Sequence, residues 1–293
     1  MKKILIVGYG DIGARAAELL SSRYRVYALT RSENTLQRAR RQGAIPVPGD
    51  LDHSATLGRI AGLADIVLHF APPQRNGPHD LRTRHLLAAL TKGKILPRRL
   101  IYISTTGVYG DCHGERVDET RATRPTTPRA LRRADAEASL RRWGTRNGVR
   151  VSILRVPGIY APGRLPVERL EQRIPALRTE DDGYTNHIHA DDLARIVAAA
   201  LTHGRPGRVY NAADDAPMKM ADYFDLVADH YGLERPRRVS WQEAQKEISP
   251  GMLSYMNESR RIANDRIKQE LGVRLRYPGV REGLEGMISQ ESC

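Results

Sequence analysis

Arg129 and Arg133 stand four residues apart in the run Pro125 to Glu137, whose pattern predicts a helix from Pro128 to Trp143. That spacing places two guanidinium groups on one helical face. A guanidinium stays protonated at any physiological pH, so neither side chain can give and take a proton. Either can clamp an oxyanion, because the planar fork suits bidentate contact with a carboxylate or phosphate. Other groups could also take part in chemistry. Ser104, Thr105 and Thr106 end an apolar stretch and are followed by Gly107-Val108-Tyr109-Gly110, which brings hydroxyls and a phenol together. Hydroxyls at a strand end serve the backbone about as often. His187 and His189 carry rings that titrate near neutrality. They precede Asp191-Asp192, which reads as the N-cap region of a helix, so a structural role for both rings is the stronger expectation. His69, at a strand end, reads as a packed residue.

The elements that must hold these groups begin at the N-terminus. Lys3 to Val7 is short, apolar and rich in β-branched residues, and reads as a buried strand. Gly8-Tyr9-Gly10-Asp11-Ile12-Gly13 follows at once, and Ala14 to Leu20 continues as a helix. A Gly-x-Gly-x-x-Gly between strand and helix marks a dinucleotide site. The first glycine makes the turn, the second lets the backbone approach a pyrophosphate, and the third lets helix pack on strand. A second strand, Arg25 to Leu29, ends in Thr30-Arg31-Ser32. NAD sites usually place an acid there. A cation and a hydroxyl instead favour NADP(H) over NAD(H), with Glu33 one turn on keeping NAD as the alternative. Strand and helix patterns alternate to about residue 160, which predicts an α/β fold of the Rossmann type: a doubly wound parallel sheet with helices on both faces. The expected division is a dinucleotide-binding domain over 1–160 and a smaller, interwoven substrate region over 161–293.

Taken together, these segments resemble the extended short-chain dehydrogenases/reductases, the NAD-dependent epimerase/dehydratase family. Its active-site helix carries Pro-x-Ser-x-Tyr-x-x-Ser-Lys-x-x-Ala-Glu, and the frame here is Pro125 to Glu137, with Arg129 at the Tyr position and Arg133 at the Lys position. The resemblance makes the chain an atypical member whose usual acid/base pair is replaced. It implies that Asp50 and Leu51 contact the adenine, that Ala71 and Pro72 lie near the pyrophosphate, and that Pro157 flanks the nicotinamide. Thr105 aligns with the catalytic Ser or Thr, so Thr105, Tyr109, Arg129 and Arg133 form the candidate catalytic set, and Arg133 could still donate to the ribose. Thr106, Arg129 and His187 are the candidate substrate contacts. The implied activity is that of an oxidoreductase or epimerase-like enzyme on a small, anionic carbonyl or hydroxyl compound. The alternative is a protein that binds NADP(H) as a sensor or scaffold without turnover. The resemblance also implies a homodimer through the helices flanking Tyr102 to Ala138, although the arginines there could equally oppose association.

Composition narrows the remaining classes. At 293 residues the chain can bury a full core. No apolar run reaches membrane-spanning length and Met1-Lys2-Lys3 leads straight into a strand, so a soluble, cytoplasmic protein is expected. Cys112 and Cys293 are too few and too scattered for a disulfide framework or a metal site. The net charge of +13 comes from 40 arginines and seven lysines spread over most helices, with aromatics at only 5%. Such a chain offers no stacking platform for nucleic acid, which ranks behind solvated surface charge and attraction of an anionic cofactor or substrate.

Overall fold

The first strand is apolar on both faces because it lies between neighbours on both sides and helices above and below. In the computed structural model, which describes residues 1–291, β1 (Lys2–Val7) is wholly buried from Ile4 to Val7. It pairs in parallel with β2 (Tyr24–Thr30) on one side and β4 (Ile66–His69) on the other, with Ile6 opposite both Ala28 and Leu68. β3 (Ile45–Pro48) extends the sheet beyond β2, and β5 (Arg99–Thr105) extends it beyond β4. Arg150–Val156 pairs with β5, and the short strand Val209–Asn211 pairs with Arg150–Val156 at the far edge. All seven strands are parallel, with the crossover order of a doubly wound sheet. The seventh strand lies beyond residue 160, so the chain returns to the first sheet after entering the second region.

Each face of the sheet has its own core. On one, α1 (Asp11–Leu20) presents Ala16 and Ala17 to Ile4 and Ile6, and the helix Ala190–His203 adds Leu193, Ile196 and Val197. On the other, α3 (Leu81–Thr91) and α4 (Pro128–Asn147) bury Leu86, Leu90, Ala136 and Leu140 against Leu5, Val7 and Tyr102. A third cluster, built on Tyr160, Phe224, Val227 and Leu284, forms the core of the second region. Short parallel strands, Gly158–Tyr160 and His187–His189, join that region to the sheet.

The helix that carries the candidate arginines starts where the sequence says it should. Thr127 accepts a bond from Ala130 N at 3.4 Å, and Pro128 fills the first helical position, where it sacrifices no hydrogen bond. It runs a turn past the expected end at Trp143 because nothing breaks it before Gly148, whose φ of +66° closes the C-terminus.

Inside α4, Glu137 is almost wholly buried and fully engaged. It accepts from Ser104 Oγ at 2.7 Å, from Arg155 Nε and Nη2 at 3.1 and 2.8 Å, and from Arg141 at 3.2 Å. Arg155 is itself 4% exposed, so the pair bolts α4 to two strands in a low-dielectric interior. Removing one member would leave the other charge buried without compensation. Glu137→Gln should therefore lower unfolding stability by about 3–5 kcal/mol, read as a fall in denaturant midpoint at unchanged slope. Replacing both residues with methionine should recover much of that loss.

Candidate functional site

The glycine loop closes β1 onto α1 for reasons of space. Gly8 has φ +93°, and a Cβ there would lie 2.6 Å from Ala71 N at the end of β4. At Gly13 a Cβ would lie 2.9 Å from the Gly8 carbonyl oxygen. Gly10 is different: its Cβ would meet no atom of the chain within 4 Å. Protein packing explains the first and third glycines and leaves the second to a ligand. Gly10 is also the N-cap of α1 and supplies no side-chain cap, so the first N–H groups of the helix face outward for an anion. Asp11 at the first helical position would repel that anion. It is held by Arg15 Nε at 2.9 Å and Arg164 Nη1 at 3.2 Å, which offset its charge. These features fit a dinucleotide. Tyr9 and Ile12 are buried and fix the loop rather than face outward.

At the end of β2 the side chains are arranged loosely. Ser32 caps α2 (Glu33–Arg41), accepting from Thr35 N at 3.4 Å, and Thr30 ends the strand. Arg31 is 63% exposed and lies 3.5 Å from Asp52 and 3.8 Å from Asp50. Asp52 already receives both arms of Arg82, at 2.7 and 2.6 Å, which hold its carboxyl below the usual range. Arg31 is thus the outer, weaker partner in this group. Leu51 is buried in the core, and its carbonyl accepts from His85 Nδ1 at 2.7 Å.

A cavity of about 680 Å³ opens between the sheet and the second region. It collects Pro72, Thr105, Thr106, Arg129, Arg133, Pro157 and His187 from five separate stretches of the sequence. Thr105 caps the turn Thr106–Tyr109, accepting from Gly107 N at 3.2 Å. Arg133 donates to the Ile103 carbonyl at 2.8 Å and to Tyr102 Oη at 3.0 Å. Arg129 lies over the Tyr255 ring, 3.2 Å from its centroid, and bonds Ser254 Oγ at 3.2 Å. Burial pulls its pKa down, and no carboxylate bonds it among the described residues. Six arginines line the cavity, against one carboxylate, Glu258.

Two expectations need correction. Tyr109 is not on the cavity wall: it is 1% exposed, donates to Asn211 Oδ1 at 2.8 Å and lies beneath the Arg155 guanidinium. Its phenol belongs to a satellite core because the turn that carries it rolls inward. The helix after the histidines is capped by His189, whose Nδ1 accepts from Asp191 N at 3.2 Å, and both aspartates fall in the first turn. Asp192 is needed elsewhere, accepting from Arg276 N and Tyr277 N at 2.8 Å each. His69 is packed as expected, 0% exposed, with Nε2 2.9 Å from Thr83 Oγ1. Tyr255, Glu258 and Arg260 were missed, since only their convergence from a distant segment marks them.

The sequence model of the NAD dependent epimerase/dehydratase family matches residues 4–213. The chain belongs to that family. Protein YeeZ of Escherichia coli (strain K12) is 29% identical, over 95% of this chain and 97% of its own. A solved structure of a functionally unknown conserved protein from Silicibacter pomeroyi DSS is 28% identical with a TM-score of 0.81, covering all of both chains. DesIV, a dTDP-glucose 4,6-dehydratase from Streptomyces venezuelae solved as a double mutant with NAD bound, is 20% identical with a TM-score of 0.77, over 100% of this chain and 98% of its own. The last likeness bears on the fold alone. The family's Rossmann-type architecture and NAD(P)-binding character apply to this member, and no described helix is long and apolar enough to cross a membrane.

Two predictions follow from the site's geometry. Gly8→Ala should cost several kcal/mol or prevent folding, through the positive φ and the Ala71 clash, whereas Gly10→Ala should change stability by less than about 0.5 kcal/mol. Gly10→Ala should nevertheless weaken dinucleotide binding more than about tenfold, a loss of ~1.4 kcal/mol readable by calorimetry. His187 is buried against Tyr223, with ring centroids 4.1 Å apart, and burial drives its pKa from 6.5 down to about 3. The unfolded chain takes up that proton below pH 6.5 and the native chain does not until about 3. Stability is therefore complete above pH 6.5 and lost as pH falls through that window. His187→Phe should remove about 2 kcal/mol of the loss between pH 6.5 and 5, measured by denaturation at each pH.

Proposed function

We propose that this family member is an oxidoreductase or epimerase-like enzyme that takes NADP(H) in preference to NAD(H) and acts on a small carbonyl or hydroxyl compound carrying an anionic group. The observation that carries the reading is the cavity beside the glycine loop, walled by six arginines and one carboxylate. Gly8, Gly10 and Gly13 would admit the pyrophosphate, Arg31 and Ser32 would receive the adenosine ribose phosphate, and Pro157 would flank the nicotinamide. Arg133 would donate to the ribose, a task that needs only a cation with donors. When bound, the dinucleotide supplies hydride transfer. Arg129 would fix the substrate's anionic group through its fork, a role open to it because no carboxylate engages it. Thr105 and Thr106 offer hydroxyls at the same wall.

A second reading has support of its own. Arg129 and Arg133 stand at the positions of the family's phenol and lysine, and a guanidinium cannot relay protons. A protein that binds NADP(H) to alter a contact, with no turnover, would need neither.

The cofactor preference rests on Arg31, loosely held by two aspartates and free to turn toward a phosphate. Calorimetric titration should give NADPH at least a tenfold advantage over NADH, about 1.4 kcal/mol. Arg31→Glu should reverse the order. Equal affinities in the wild-type protein would remove the NADP assignment and leave the family's NAD chemistry.

A further inference from the structure

The cavity wall carries a second kind of surface besides its arginines. Ile159, Met220, Met252 and Tyr255 line it with apolar atoms that the fold leaves accessible. The first three are half-buried and Tyr255 is 51% exposed. Met252 and Tyr255 stand three residues apart in the short helix Pro250–Met256, and so share one face. Met220 opens the helix Met220–Tyr231 and packs on the cluster of Phe224 and Val227. It also packs on the cluster of Val239 and Met256, as Met252 does, so the two methionines rest on one small core. Asn186, also on the wall, commits its amide to backbone groups, donating to the Arg260 carbonyl at 2.9 Å and accepting from Ile262 N at 2.8 Å. Arg129 joins the apolar surface to the basic one. Its guanidinium lies over the Tyr255 ring and its Nη1 bonds Ser254 Oγ, while Nε and Nη2 bond nothing among the described residues. That Nε–Nη2 edge is the one through which Arg155 grips Glu137 and Arg82 grips Asp52. It matches the two oxygens of a carboxylate with two parallel bonds.

We propose that the substrate is an aromatic carboxylic acid, its carboxylate on the Nε–Nη2 edge of Arg129 and its ring against Met252 and Met220. The assignment deepens the oxidoreductase reading above and rests on it. Tyr255 ties the two ends together, since Arg129 lies over its ring and Met252 precedes it by one turn on the same helix face. Methionine side chains adapt to the outline of a ligand, and their sulfurs make favourable contacts with aromatic rings. A small, wholly hydrophilic acid would satisfy Arg129 and leave the apolar wall wet. An uncharged aromatic ketone would cover the wall and leave the Arg129 edge without an acceptor. A molecule with both parts meets both surfaces, and ligand sites ordinarily combine an apolar lining with a few placed polar groups in this way. Ile159 stands two residues after Pro157, so the apolar wall would begin beside the nicotinamide.

The test is calorimetric titration of the full-length protein saturated with NADP+, an oxidised cofactor that cannot reduce an oxo acid. The probes are phenylpyruvate, pyruvate, α-ketoglutarate and the uncharged phenylacetone. Phenylpyruvate should bind at least about tenfold more tightly than each of the other three, the ring and the carboxylate both contributing. Met252→Gln and Met220→Gln should each cut the preference for phenylpyruvate over pyruvate at least about threefold. Arg129→Gln should bring phenylpyruvate down to the level of phenylacetone. NADP+ affinity in the two methionine variants, within about twofold of the wild type, confirms that they are folded. Phenylpyruvate that binds no better than pyruvate or phenylacetone, or does not bind at all, would overturn the substrate class alone. So would a preference that survives both methionine substitutions. Failure of the wild type to bind any nicotinamide dinucleotide would instead overturn the reading on which the assignment rests.

Discussion

No side chain can stand at Gly8. The end of β1 meets the end of β4 so closely that even a methyl group would fall 2.6 Å from Ala71 N, and the backbone there has turned to φ +93°. That closeness lets the chain reverse from strand to helix in three residues, Gly8 to Gly10, and so points the N-terminus of α1 at the mouth of the sheet. Everything at the site is arranged around this turn. Ala71 leads into Pro72 on the cavity wall, Arg164 reaches Asp11 from the second region, and Gly10 is left with empty space above it. The turn makes a place for an anion before any side chain contributes charge.

The far wall depends on a different constraint. α4 must lie in a single register for Arg129 and Arg133 to reach the cavity while Ala136 and Leu140 stay in the core. Glu137 sets that register from inside, through Ser104 on β5 and Arg155 on the next strand. A buried ion pair is poor evidence of net stability but a good determinant of which arrangement is native. With it in place, the two arginines differ in use. Arg133 is consumed in part by the Ile103 carbonyl and the Tyr102 hydroxyl, whereas Arg129 rests on an aromatic face and a serine. Each spends only Nη1 in these bonds, which leaves Nε and Nη2 of Arg129 available to an anion.

What could be read from the sequence was what is encoded locally. The glycine loop, the apolar strands and the Thr127-Pro128 start of α4 each carry their cause within a few residues. The short strand Val209–Asn211 could not announce itself as part of the main sheet, because three residues show no period and its partner is far away in sequence. Tyr109 misled because its position beside Thr105 in the chain says nothing of the inward roll of the turn. The cap at His189 was hidden because aspartate is the more usual cap, and Asp192 is claimed by backbone groups at Arg276 and Tyr277. Glu258 carries no local signature in the sequence. Nothing near it is unusual, and it becomes a site residue only when Asp111 and Gly110 draw its segment across the cavity.

The central claim is that the glycine loop of this chain holds a nicotinamide dinucleotide. Amide hydrogen exchange, followed by mass spectrometry with and without saturating NADPH, addresses it at the residues themselves. The expected result is slowed exchange in peptides spanning Gly8 to Gly13 and in the segment from Ala71 through Arg75. Exchange in the loop that is the same with and without NADPH and NADH would contradict it.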